Sequence, residues 1–213
     1  MSRLYANTRS PQELVAYFGV EEPGALDYPA TTVEGDRGVV VYERDGIHRA
    51  RVMTWGFPRL ARSGPDRIGL VADLTNPMWD KVVADPRYRC LIPISHFANP
   101  AGDEGAKTRS WFSVTGEPLF AWGGFCRNTP ELGPVFAGMT MKANALVEPY
   151  NDRMPVLVPR EEWGHWLRGP VKNIIFFQIR QPFPAERMTL EHSDDRWRSG
   201  KPPPTPAPQL SMI

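Results

Sequence analysis

The run RGVVVYERDGIHRARVMTW, residues 37–55, restricts the fold more than any other stretch of this chain. Val39 to Tyr42 is rich in β-branched and aromatic residues, Asp45-Gly46 has the chemistry of a two-residue turn, and Arg49 to Thr54 alternates polar with apolar. Asp-Gly accepts the positive φ angles that a tight turn between twisted strands requires, so the run reads as a β-hairpin. Other segments follow the same mode. RCLIPISHF (89–97) reads as a buried strand that breaks at Pro93. RSWFSVTGEPLFAWGGF (109–125) reads as a second hairpin turning near Gly116, GPVFAGMTMKAN (133–144) as a further strand and NIIFFQIR (173–180) as the last one.

Helices are few and short. In NTRSPQELVAYFG, Ser10 is placed to cap, Pro11 suits the first helical position, Glu13 completes a capping box and Gly19 ends the helix. NPMWDKVVADP offers a short helix capped by Asn76, and PREEWGHWLRG offers another with Trp163, Trp166 and Leu167 on its apolar side. Residues 22–36 and the stretch LARSGPDR read as loops. Strands in hairpins with helices at the sides predict an α+β domain, mainly antiparallel and barrel-like or sandwiched, and argue against a doubly wound sheet. The 213 residues fit one domain, residues 1–196, followed by a Pro-rich extended or disordered tail over 197–213.

Composition narrows the function. A net charge of +1 excludes a globally basic nucleic-acid binder but leaves room for a local basic groove. Cys90 and Cys126 each sit in an apolar run and read as core thiols. The four histidines lack metal-ligand spacing, and no Gly-rich phosphate loop is present, so neither metal nor cofactor is expected. The N-terminus has no apolar stretch, and nowhere do roughly 18 apolar residues run together, so a soluble cytoplasmic protein is expected.

Six short runs, in order, carry a resemblance: MSRLYANTRSPQELVAYFG, TWGFP, RCLIPISHF, LFAWGGF, TMKAN and NDRMPVLVP. Together they resemble the SOS-response-associated peptidase (SRAP) domain family across most of residues 1–180. The resemblance implies an open, β-barrel-like core flanked by short helices. It also implies covalent capture of abasic sites in single-stranded DNA. In such proteins the initiator Met is removed, and the amine and thiol of the following cysteine condense with the sugar aldehyde to a thiazolidine. An Asn helps hold the site, a Glu manages protons and a His assists ring opening.

Carried onto this chain, the resemblance puts Ser2 at the nucleophile position, Asn99 at the Glu position and Asn151 at the His position. The site Asn falls near Leu70 or Val71, and a nearby family Arg is absent, as are the tryptophans after Trp-Gly-x-Pro. A hydroxyl is a far weaker nucleophile than a thiol, and an amide exchanges no proton near neutral pH. Ser2, Asn99 and Asn151 therefore read as degenerate catalytic positions. Arg3, Thr140, Asn144 and Arg153 read as nucleic-acid-binding positions, with Arg153 open to an ion pair with Asp152 or Glu148 instead. Trp55 reads as core rather than a base-stacking platform, and His96 as a hydrogen-bonded histidine that is the only imidazole near the site. The expected function is a non-catalytic, DNA-damage-related protein that binds single-stranded or damaged DNA, abasic DNA included. Two alternatives stand beside it: a residual enzyme using Ser2 for Schiff-base, lyase or autoproteolytic chemistry, and a phage-type accessory or interaction module whose partner segment is KPPPTPAP.

Overall fold

The computed structural model describes residues 3–21, 23–61 and 64–204. The chain runs β1 (Leu4–Ala6), α1 (Pro11–Phe18), β2 (Thr31–Val33), β3 (Arg37–Arg44), β4 (Ile47–Trp55), β5 (Phe57–Ala61), β6 (Gly64–Ile68) and β7 (Leu70–Val71). It continues through α2 (Asp80–Ala84), β8 (Arg89–Ile94), β9 (His96–Ala101), β10 (Thr108–Val114), β11 (Phe120–Thr129) and β12 (Gly133–Lys142). The last elements are β13 (Arg153–Pro155), β14 (Leu157–Val158), α3 (Trp163–Arg168), α4 (Val171–Ile179) and β15 (Met188–Arg196). This is the mainly antiparallel α+β architecture expected, with short helices at the sides.

Local chemistry explains the elements that were legible. Ser10 accepts from the Glu13 N–H while Glu13 reaches back to the Ser10 N–H, and Gly19 closes α1 at φ 59°. Asp45 and Gly46 both have positive φ, 56° and 78°, joining β3 to β4. Five strands then close a ring: β11 pairs with β8 and β12, β12 runs parallel to β4, and β4 returns through β3 to β8. Its centre is aromatic. Trp55 and Phe136 stack at 6.2 Å, and the Trp122 indole N–H donates to the Met139 carbonyl at 2.7 Å. Gly138 is required there, because a Cβ at that position would stand 1.9 Å from the Trp122 ring.

A second sheet, in the order β15-β10-β9-β1-β2, lies against this ring. Pairing places Thr32, Tyr5, Phe97, Phe112 and Leu190 in one row across it. Tyr5 from this inner face meets Trp55 at 5.2 Å and Trp122 at 6.1 Å, which docks the sheet on the ring. The outer face carries a smaller cluster of Leu4, Ala6, Ala98 and Trp111, covered by Trp197. Arg109 holds the chain there, donating to the carbonyls of Trp197 at 3.0 Å, Lys201 at 3.1 Å and Gly200.

Several elements differ from the sequence reading. NIIFFQIR lies in the helix α4, burying Ile174 and Phe177 three residues apart; an apolar run as short as IIFF has no period that separates helix from strand. Strand β8 runs through Pro93 and ends at Ile94; β3 meets it only at Leu91, so beside Pro93 the strand has β11 for a neighbour, and a residue without an N–H is tolerated. The turn at Gly116 exists, but β10 pairs with β9 and β15 while β11 belongs to the ring, so the chain changes sheets there. The stretch read as a loop after Phe57 is the two-stranded ribbon β5–β6.

Candidate functional site

Strand β1 lies between β2 and β9 in the second sheet. Ser2 lies outside the described residues. Arg3, continuing the register, stands between Glu34 on one side and Asn99 on the other. Its guanidinium pairs with Glu34, whose other carboxylate oxygen accepts the Gly69 N–H. Gly69 also gives its carbonyl to the Trp55 indole N–H at 2.7 Å. Trp55 is fully buried and belongs to the core, as expected.

The polar row continues beyond Asn99. Asn99 is opposite Ser110, and Ser110 is opposite His192; both Asn99 and Ser110 are fully buried. The Ser110 hydroxyl is 3.1 Å from His192 Nδ1, and His192 Nε2 is 3.3 Å from the Tyr150 hydroxyl. Residues opposite one another on paired strands share a face. Glu34, Arg3, Asn99, Ser110 and His192 therefore form one line across five strands, directly above the apolar row that carries Tyr5 and Phe97.

His192 overturns the expectation that His96 is the only imidazole near the site. His96 is three residues from Asn99 on one strand, so the two point to opposite faces. Strand β15, MTLEHSDDR, hid His192: charge breaks its alternation, and without that strand no register connects it to Asn99. Glu34 was missed for a similar reason, since it follows a three-residue strand within a segment read as loop.

The remaining site residues cluster where β12, β13 and the chain after β7 meet. Asn151 accepts the Arg153 N–H at 3.2 Å. Arg153 donates from Nε to Thr140 Oγ1 at 2.9 Å, and from Nη2 to the carbonyls of Thr140 at 2.7 Å and Ala72 at 3.0 Å. Its partners are thus a hydroxyl and two carbonyls. Thr140 is buried, and Asn144, also buried, holds the turn after β12 by accepting from Leu146 and Val147 and donating to the Phe183 carbonyl at 2.7 Å. Leu70 and Val71 pair with Gly138 and Met139 of β12 and bring only aliphatic side chains. Both cysteines of the chain lie in the core, and burial pushes the Cys90 thiol well above its ordinary range. Among the described residues, no group of three or more His, Cys, Asp and Glu could hold a metal, and no helix is long and apolar enough to cross a membrane.

The family model for SOS response associated peptidase (SRAP) matches residues 1–195. The chain belongs to the SRAP family. A relative described as abasic site processing protein YoqW, from Bacillus subtilis (strain 168), is 25% identical over 193 residues, covering 83% of this chain and 84% of its own. The same description and figures apply to a relative in Bacillus phage SPbeta. Solved structures share the fold: a Bordetella bronchiseptica protein (TM-score 0.76, 19% identity, 90% of this chain and 99% of that one) and a Bacteroides thetaiotaomicron protein (TM-score 0.73, 18% identity, 89% and 91%). A phage-related protein of Bordetella bronchiseptica has a TM-score of 0.66 at 18% identity, over 89% of this chain and 93% of that one. The family is described as SOS-response-associated, and abasic site processing is the role named for the YoqW relatives.

Proposed function

We propose that this SRAP protein binds single-stranded DNA at abasic sites without closing the thiol-derived ring. The observation that carries the reading is the burial of Cys90 and Cys126, 0% and 5% exposed, in a chain whose second residue is Ser2. No thiol is then available to an aldehyde at the surface. Asn99 and Asn151, at the positions the resemblance gives to the Glu and the His, transfer no protons near neutral pH. Arg3, with its side chain 62% exposed, and the unlinked edge of the Arg153 guanidinium offer charge to a phosphate beside the site. The test pairs an abasic single-stranded oligonucleotide with its intact counterpart. A mobility shift that weakens with salt, and no band surviving denaturation, is expected; a heat-stable adduct with the parent protein rules the reading out.

A second reading rests on the Ser110–His192–Tyr150 chain. Once Met1 is removed, the Ser2 amine forms a reversible imine with the sugar aldehyde, releasing water, while His192 passes protons between solvent and the buried Ser110 hydroxyl. Borohydride trapping decides between the two. An adduct seen only with reductant, diminished by His192→Ala and restored by added imidazole, supports this second reading; no trapped adduct eliminates it.

A further inference from the structure

The outer face of the second sheet, turned away from the row that carries Asn99, holds a cavity of about 730 Å³. His96, Ser113 and Thr189 form its floor: Ser113 pairs with Thr189, and the β9–β10 register carried one pair further places His96 beside Ser113. Arg9, at the start of α1, forms one wall.

Arg9 is incomplete as it stands. It is 8% exposed; its Nη1 donates to Glu13 at 3.2 Å, while its Nε is enclosed without any hydrogen-bond partner. A buried guanidinium that is only partly paired is costly, and a carboxylate on the cavity side of Arg9 would offset its charge. His96 Nδ1 lies 3.0 Å from the Ser95 hydroxyl, which also accepts the Thr8 N–H at 3.1 Å. Burial first, and the Arg9 charge second, push the His96 pKa down to about 4, so the imidazole is neutral at neutral pH and Arg9 is the cation of the cavity.

Charge decides the ligand class. Glu13, Glu117 and Glu191 also line the cavity, so its carboxylates outnumber its single guanidinium. That arrangement repels phosphates and nucleic acid and favours a ligand with an ammonium or amide N–H close to one carboxylate. We propose that this cavity is a second binding site, for an α-amino acid or a short peptide, with the ligand carboxylate on Arg9 and its N–H groups toward the carboxylates that line the cavity. The volume leaves room for a second residue beyond the one that Arg9 holds.

Full-length protein titrated with L-alanine, L-alanyl-L-alanine, acetate and inorganic phosphate, followed by ligand-observed NMR and thermal melting, tests the site. Saturable binding of the amino acid or the dipeptide is expected, with acetate at least about tenfold weaker, a difference of about 1.4 kcal/mol. The two zwitterionic probes separate the free amino acid from the peptide as source. Arg9→Gln, and Ser113→Leu which fills the floor without touching Arg9, should each weaken binding about tenfold or more while leaving affinity for abasic DNA unchanged. No saturation by either zwitterion, equal binding of phosphate, or undiminished binding in a folded Ser113→Leu protein overturns the proposal.

Discussion

Removal of the Arg153 side chain separates a stitching role from a phosphate-binding one. Three hydrogen bonds disappear in Arg153→Ala: one to Thr140 Oγ1 and two to the carbonyls of Thr140 and Ala72. Bonds from a charged donor are worth about 1.5–3 kcal/mol each when counted singly. The sum is smaller here, because Gln178 Nε2 already reaches both carbonyls, at 3.2 Å and 3.3 Å, and leaves neither unsatisfied. The net loss is therefore about 2–3 kcal/mol, or a melting temperature lower by about 5–10 °C for a domain of this size. Arg153→Lys keeps the charge but not the planar fork, so it should lose most of the same stability. Its salt dependence of single-strand binding should match the parent, whereas Arg153→Ala should reduce the slope by about 0.7 if the residue meets one phosphate. Calorimetry and salt-titrated anisotropy on both variants check this. An Arg153→Ala protein that melts within about 1 °C of the parent, against the loss expected from the bonds, or an Arg153→Lys protein of full stability, refutes the reasoning.

Three further outcomes follow from the same geometry. The combined Ser2→Cys, Asn99→Glu and Asn151→His protein should form a heat-stable adduct with abasic single-stranded DNA on a denaturing gel, where the parent forms none; the parent site is otherwise built differently from the proposal. His96, with its pKa lowered to about 4 from an ordinary 6.5, binds fewer protons folded than unfolded between those values, so stability is full above pH 6.5 and falls as pH drops toward 4, by up to about 3 kcal/mol; denaturant midpoints in that window should flatten in His96→Gln. Gly138→Ala drives a methyl into the Trp122 ring, whose N–H is tied to Met139, and should cost about 3 kcal/mol or more by urea unfolding.

Legibility tracked the range of the interaction that defines each element. The β3–β4 hairpin and α1 are specified by residues within a few positions of one another, a turn dipeptide and a capping box, so both could be read directly. Helix α4 could not, because its six apolar residues leave both faces apolar, with Phe176 and Ile179 exposed. The sheet containing β1 and β15 joins the two ends of the chain, and nothing local in MTLEHSDDR announces that its partner is β10. For the same reason the motif positions Asn99, Asn151 and Arg153 could be named from short runs, while Glu34 and His192, which reach the same row through pairings made elsewhere, could not.

That row suggests why the substitutions proposed here belong together. Arg3 stands between β2 and β9 and pairs with Glu34. A carboxylate at position 99 would compete for the same guanidinium from the opposite side, in a spot with no solvent exposure, where an unpaired charge is costly. With Asn99 neutral, Arg3 pairs with Glu34, and the carboxylate of the site sits just after β2 and is anchored to Gly69 as well. An imidazole is likewise present, on β15 rather than at position 151, and joined to Tyr150 beside Asn151. In the proposed reading the carboxylate and the imidazole of the site stand at the two ends of the row, each two strands from Asn99. The centre of the row is left to a buried amide and a buried hydroxyl, groups that hydrogen-bond but exchange no protons near neutral pH.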